Sequence, residues 1–173
     1  MSPARQTRSS VFIAIMALAA ASCFVLAFSH WQSTDPVKFV CYLIAASLAS
    51  SFKVSLPGIE GTLSVNFLFT LLGILELSLP ETLLIGAVST LAQFYWKPAR
   101  QLKPIQLIFN LSQVTVSTGA AYAAYRIVST HVLHRPGPLA LLAAAIAHFI
   151  FNTAAMSIII GMTEEKPDRK SVV

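Results

Sequence analysis

Six long apolar runs, separated by short stretches of turn chemistry, set the pattern of this chain. They are Val11–Phe28, Val37–Phe52, Leu63–Leu79, Thr82–Trp96, Ile105–Val128 and Leu139–Met162. Runs of this kind read as helices that span a bilayer. At 1.5 Å per residue the fourth covers roughly 23 Å of a hydrocarbon core about 30 Å thick, and Pro80 and Glu81 can extend it at its start. Proline suits a first helical turn, where its missing donor has no partner to lose. The pattern predicts an all-α polytopic membrane protein with about six transmembrane helices in one bundle.

The connections are "STDP", "SLPGIEG", "KPARQLKP" and "HRPGP". None is long enough for a soluble domain. The chain therefore divides into a cytoplasmic N-terminal tail over residues 1–10, a transmembrane domain over 11–162 and a cytoplasmic C-terminal tail over 163–173. The first run has the basic start and small residues of a signal peptide. However, it continues past Cys23 through Phe24, Val25 and Leu26, so it reads as a retained helix.

Composition strengthens the membrane reading. The 173 residues are 55% hydrophobic and 11% charged, where a soluble domain carries about 25% charged residues. The mean hydropathy is +0.71. A net charge of +5 could suggest nucleic acid, but the basic residues fall at the ends of apolar runs and form no stripe, so no nucleic-acid partner is expected. Counted on alternate sides of six spans, nine Lys and Arg share the side of the N-terminus and three lie opposite. By the positive-inside rule both termini are cytoplasmic. Trp31, Tyr95, Trp96 and Tyr125 lie near run ends, as interfacial aromatics do.

Polar residues inside the runs are the candidate chemistry. "QLIFN" at Gln106–Asn110 recurs as "HFIFN" at His148–Asn152, 42 residues on. Residues four apart share a helix face, so Gln106 pairs with Asn110 and His148 with Asn152, and Gln113 extends the first face. Asn66, Thr70 and Glu76 lie on the third run, and Ser89, Thr90 and Gln93 on the fourth. An unpaired polar group in hydrocarbon costs several kcal/mol, so these side chains should point inward. Two readings stay open. They are interhelical glue, worth roughly 0.6 kcal/mol per hydrogen bond, or they line a polar ligand cavity. The candidate cavity set is Asn66, Glu76, Gln93, Gln106, Asn110, Gln113, His148 and Asn152. Glu76 is its strongest single member, because an acidic residue within a span marks a functional site by default. Segment five leaves the cytoplasmic side and segment six returns from the outer side. Gln106 and Asn110 then sit nearer the cytoplasm than His148 and Asn152, and any shared pocket is elongated along the bundle axis.

Other constellations carry less. Cys23 and Cys41 sit inside apolar runs and read as packing residues. His131 and His134 lack carboxylate or thiol partners, so no metal site is expected. No nucleophile with base and orienting acid appears, nor any phosphate-cradling glycine loop, so the chain reads as non-enzymatic and without a cofactor. Small residues four apart, including Ala17 and Ala21, permit close helix approach.

From about Leu56 to Tyr125 the chain resembles the multi-spanning membrane input region of bacterial signalling proteins. In that family the region precedes a cytoplasmic GGDEF or HD-type output domain. The residues that carry the resemblance are Asn66-Phe67, Gly73 to Glu76, Pro80, Gly86, the basic turn Lys97 to Lys103, Phe109-Asn110 and the small-residue run from Gly119. The resemblance implies a bacterial inner membrane protein that senses or binds a small molecule and partners a cytoplasmic signalling domain. The tail "TEEKPDRKSVV" carries no such domain, so a stand-alone or truncated input module is expected, without the family's enzymatic activity. Six short helices and a "LPG…G" loop also resemble the substrate-binding S components of energy-coupling-factor vitamin transporters. That resemblance makes Ala17 and Ala21 a helix-docking face for transporter subunits.

Overall fold

The computed structural model describes residues 3–29, 31, 33, 35–50, 53–55, 62–64, 66–96 and 104–163. Six α-helices follow in order: α1 Pro3–Phe28, α2 Pro36–Ala49, α3 Asn66–Glu76, α4 Leu79–Trp96, α5 Pro104–Ile127 and α6 Pro138–Thr163. Two short strands, β1 Lys53–Ser55 and β2 Thr62–Ser64, form an antiparallel hairpin between α2 and α3, with Val54 opposite Leu63. A π-helical turn, Val128–Val132, extends α5 toward the connection to α6.

The helices start where local chemistry allows. Asp35 caps α2, its carboxylate accepting the Lys38 amide at 3.0 Å, with Pro36 following at the first helical position. Ser78 and Glu81 form a capping box at the start of α4: the Glu81 carboxylate accepts the Ser78 amide at 2.9 Å and its hydroxyl at 2.7 Å. This box turns the chain sharply after Glu76, so α3 and α4 form a helical hairpin. Gly73 permits their contact, because a Cβ there would meet Thr82 at 3.0 Å.

The described residues are all-α apart from the β hairpin, which corrects the expected third segment. The start of that run, around Leu63, belongs to β2, and the helix begins only at Asn66. The alternating "KVS" and "TLS" pair as strands, and α3 is left with 11 residues, roughly 17 Å. The second helix likewise ends at Ala49 rather than Phe52. Helix α1 begins at Pro3, inside the expected N-terminal tail. Among the described residues two helices are long and apolar enough to cross a membrane, Thr7–Phe28 of α1 and Pro138–Thr163 of α6. The basic turn 97–103, the "LPG" loop and the C-terminal tail lie outside the described residues.

Helix α5 is the central element, packed by α1, α4 and α6. Ala121 and Tyr125 of α5 meet Ala140 and Ala144 of α6 and Ile74 of α3 in one buried cluster. The late part of α5 thus faces the early part of α6, so the two run antiparallel. Tyr125, expected at an interface, is in this core. A second cluster joins Ala46, Leu77 and Ile85. Helix α1 approaches α5 so closely that a Cβ on Gly119 would lie 2.7 Å from Cys23 Sγ. Cys23 is therefore a packing residue, half-buried; Cys41 is exposed on α2.

The interior is small and polar while the exterior is apolar. Ser112, Gln113, Thr115, Ser117 and Thr118 of α5 are all buried. Three of their hydroxyls are satisfied within the helix: Ser112 donates to the Ile108 carbonyl, Thr115 to Leu111 and Ser117 to Gln113, at 2.7–2.8 Å. Leu18, Val25 and Leu26 of α1 and Ile146, Phe149 and Ile150 of α6 stand on the outside.

Candidate functional site: a polar cleft among four helices

A cleft of about 350 Å³ lies among α3, α4, α5 and α6. Helix α3 contributes Asn66, Phe67 and Thr70 from its first turns, and α4 contributes Thr90 and Gln93 from its last. Asn110, Gln113 and Val114 come from the first half of α5; His148, Phe149, Asn152 and Thr153 come from the middle of α6. These positions follow from the antiparallel run of the helices, which brings the start of α3 and α5 level with the end of α4. Residues three and four apart on each helix share the face that the cleft uses.

Six of the eight residues expected from sequence as a polar set line this one cleft: Asn66, Gln93, Asn110, Gln113, His148 and Asn152. One bond ties its back wall. Gln113 Nε2 donates to the Asn152 backbone carbonyl at 2.7 Å and to Asn152 Oδ1 at 2.9 Å. This places Asn152 level with Gln113, about one turn from Asn110. The two matching pentapeptides do not meet as equivalents, since the partner of Asn152 is Gln113 and not Asn110. The expected separation in depth shrinks accordingly.

The front wall is aromatic. The Phe67 and His148 rings lie with centroids 5.0 Å apart at 51°. Neither His148 nor Asn110 has a hydrogen bond to another described residue, so both polar groups remain available inside the cleft. Thr70 and Thr90 are satisfied by the carbonyls one turn back, of Asn66 and Gly86. No Asp, Glu, Lys or Arg lines the cleft among the described residues. The arrangement offers amide donors and acceptors in pairs, beside two phenylalanine rings.

Two members of the expected set lie elsewhere. Gln106, one turn before Asn110, is exposed. Glu76 stands at the exposed end of α3, 3.0 Å from Lys38 Nζ and accepting the Tyr42 hydroxyl at 2.9 Å. A solvent-facing ion pair needs no ligand to explain it. The buried acid among the described residues is Glu81, 1% exposed, which also accepts a hydrogen bond from the Ser33 hydroxyl. The sequence signal for it was the Ser78-x-x-Glu81 spacing of a capping box. Thr153 and the aromatic lining from Phe67 and Phe149 carry no polar-pair signal and emerge only from the fold.

Ala17 is half-buried against the bundle and Ala21 is exposed on the outer surface of α1. His131 and His134 are exposed near the α5–α6 connection, with His134 in the left-handed region at φ 52°. No group of three metal-ligating side chains occurs among the described residues. No protein family, curated protein or solved structure matches this chain.

Proposed function

We propose that this chain is a non-enzymatic membrane module of six spanning helices, set in a bacterial inner membrane with both termini in the cytoplasm. Its activity is to bind a small molecule in the cleft among α3, α4, α5 and α6. The observation that carries this reading is the Gln113–Asn152 bond at the back of a volume where Asn110 and His148 have no hydrogen-bond partner among the described residues. Interhelical glue satisfies its own polar groups; here two are left facing a cleft of ligand size. Outward-facing leucine, isoleucine and valine on α1 and α6 support the bilayer setting, as does the Lys and Arg bias.

Binding acts by shifting the packing of α3 against α5 and α6, because a ligand favours whichever arrangement it contacts better. The cytoplasmic ends of the helices pass that shift to a signalling domain. A second reading, a substrate-binding S component of a transporter, is favoured by the exposure of Ala21 on the outer surface of α1. Affinity purification from membranes separates the two. Recovery of an ATPase and a coupling subunit selects the transporter reading, whereas recovery of a cyclase or phosphohydrolase selects the sensory one. The ligand-site reading itself is tested with Asn110→Leu. It requires that compounds which raise the melting midpoint of the wild type no longer do so in the variant, while the variant's own midpoint is retained.

A further inference from the structure

We infer that the occupant of the cleft is a single-chain amphiphile that enters sideways from the bilayer. Its uncharged head rests against Asn110, Gln113 and Asn152, and its tail leaves between α3 and α6. This inference rests on the reading of the cleft as a ligand site and adds the class of ligand and its route.

The mouth gives the route. Phe149 lines the cleft and is also 66% exposed on the outside of the bundle. Thr153, one turn on, likewise lines the cleft and is exposed. Helix α6 has 26 residues, so Phe149 lies about 17 Å from its start and about 21 Å from its end. In a spanning helix that is hydrocarbon depth, far from either water phase. A molecule that passes Phe149 therefore comes from among acyl chains. The flanks of the mouth are apolar: Leu68 on α3 and Ile146 and Ile150 on α6 are exposed.

The lining gives the head. An ionised head at this depth would need an opposite charge beside it, and no Asp, Glu, Lys or Arg lines the cleft among the described residues, where the His148 ring packs against Phe67. Amides of Asn110, Gln113 and Asn152 offer both donors and acceptors, which suits a head with hydroxyl or carbonyl groups. The volume of about 350 Å³ holds on the order of a dozen water-sized groups. That accommodates a small head and the first part of one tail, and leaves no room for a second chain.

The test uses the full chain in phosphatidylcholine vesicles with a mono-oleoylglycerol analogue that carries a diazirine near its head. The expected labels fall on α6 between Phe149 and Thr153 and on α3. Unlabelled mono-oleoylglycerol should compete at least tenfold better than oleate, and glycerol should not compete. Asn110→Leu should lower labelling about tenfold, and it removes no hydrogen bond within the described protein. Gln113→Leu is the second variant, with the same expected loss. Labels confined to α1 or α2, equal competition by oleate, or unchanged labelling in Asn110→Leu would overturn the inference. Equilibrium dialysis with adenine, a neutral and tail-less solute, separates the two levels of the argument. Asn110-dependent adenine binding without lipid labelling sinks the amphiphile and leaves the ligand site standing. No Asn110-dependent binding of either probe sinks both.

Discussion

Gln113 on α5 reaches across to α6 and donates one amide nitrogen to two oxygens of Asn152, at 2.7 and 2.9 Å. The two residues lie 39 apart in sequence, and their bond fixes the register of the two longest-packed helices at the depth of the cleft. Interhelical hydrogen bonds of this kind average roughly 0.6 kcal/mol, with a maximum near 1.7. A double-mutant cycle with Gln113→Leu and Asn152→Leu, read from unfolding in detergent, should return a coupling within that range. A coupling of zero would mean that the Asn152 backbone carbonyl, which Asn152→Leu keeps, carries the contact without the side-chain oxygen.

The two acids of the α3–α4 hairpin should behave differently. Glu81 is buried and accepts bonds from Ser33 and Ser78, so Glu81→Ala removes a helix cap and strands two hydroxyls. A loss of about 1–2 kcal/mol is expected. Glu76→Ala should leave the melting midpoint unchanged, because its pair with Lys38 faces solvent. Comparing the two midpoints under one set of conditions checks the ranking, and a larger effect at Glu76 would reverse it.

The α1–α5 contact depends on the absence of a side chain at position 119. Gly119→Ala puts a methyl group 2.7 Å from Cys23 Sγ, closer than atoms pack. The sulfur must rotate or the helices must part, at a cost of about 1–3 kcal/mol. Adding Cys23→Ala should recover most of that loss. If the double variant melts with the single one, the strain lies in the backbone rather than at the sulfur.

Thiol chemistry reports on the bilayer. Cys41 is exposed on α2 in the isolated chain, five residues after Pro36. If α2 is embedded, a water-soluble maleimide should leave Cys41 unmodified in intact vesicles and react once detergent unfolds the chain. Rapid labelling in vesicles would put α2 in water and contradict the spanning arrangement.

Much of the cleft was legible in the sequence because its logic is solvation. Amides and a histidine set in apolar runs must turn inward or pay for exposure to hydrocarbon, and six such residues do share one volume. Gln106 escaped this rule. It lies within one turn of the α5 start, at Pro104, where the helix end is open and a polar side chain finds company at the surface. Glu76 escaped it too, because the helix stops there and Lys38 of α2 lies beside it. No pattern along the run between Leu63 and Leu79 announced that α3 would be so short.

The sequence by itself determined the helical class, the positions of most helices and the inward bias of the polar groups. These follow from hydropathy, capping chemistry and helical period, all of which act within a few residues. Only the tertiary structure decided which polar groups meet. The pairing of Gln113 with Asn152 rather than Asn110 with Asn152, the burial of Glu81 instead of Glu76, and the placing of Phe149 at both cleft and surface depend on helix register. Register is set by contacts between helices, here by the Gln113–Asn152 bond, Gly119 against Cys23 and Ala121 near Ala140. No local pattern encodes those contacts.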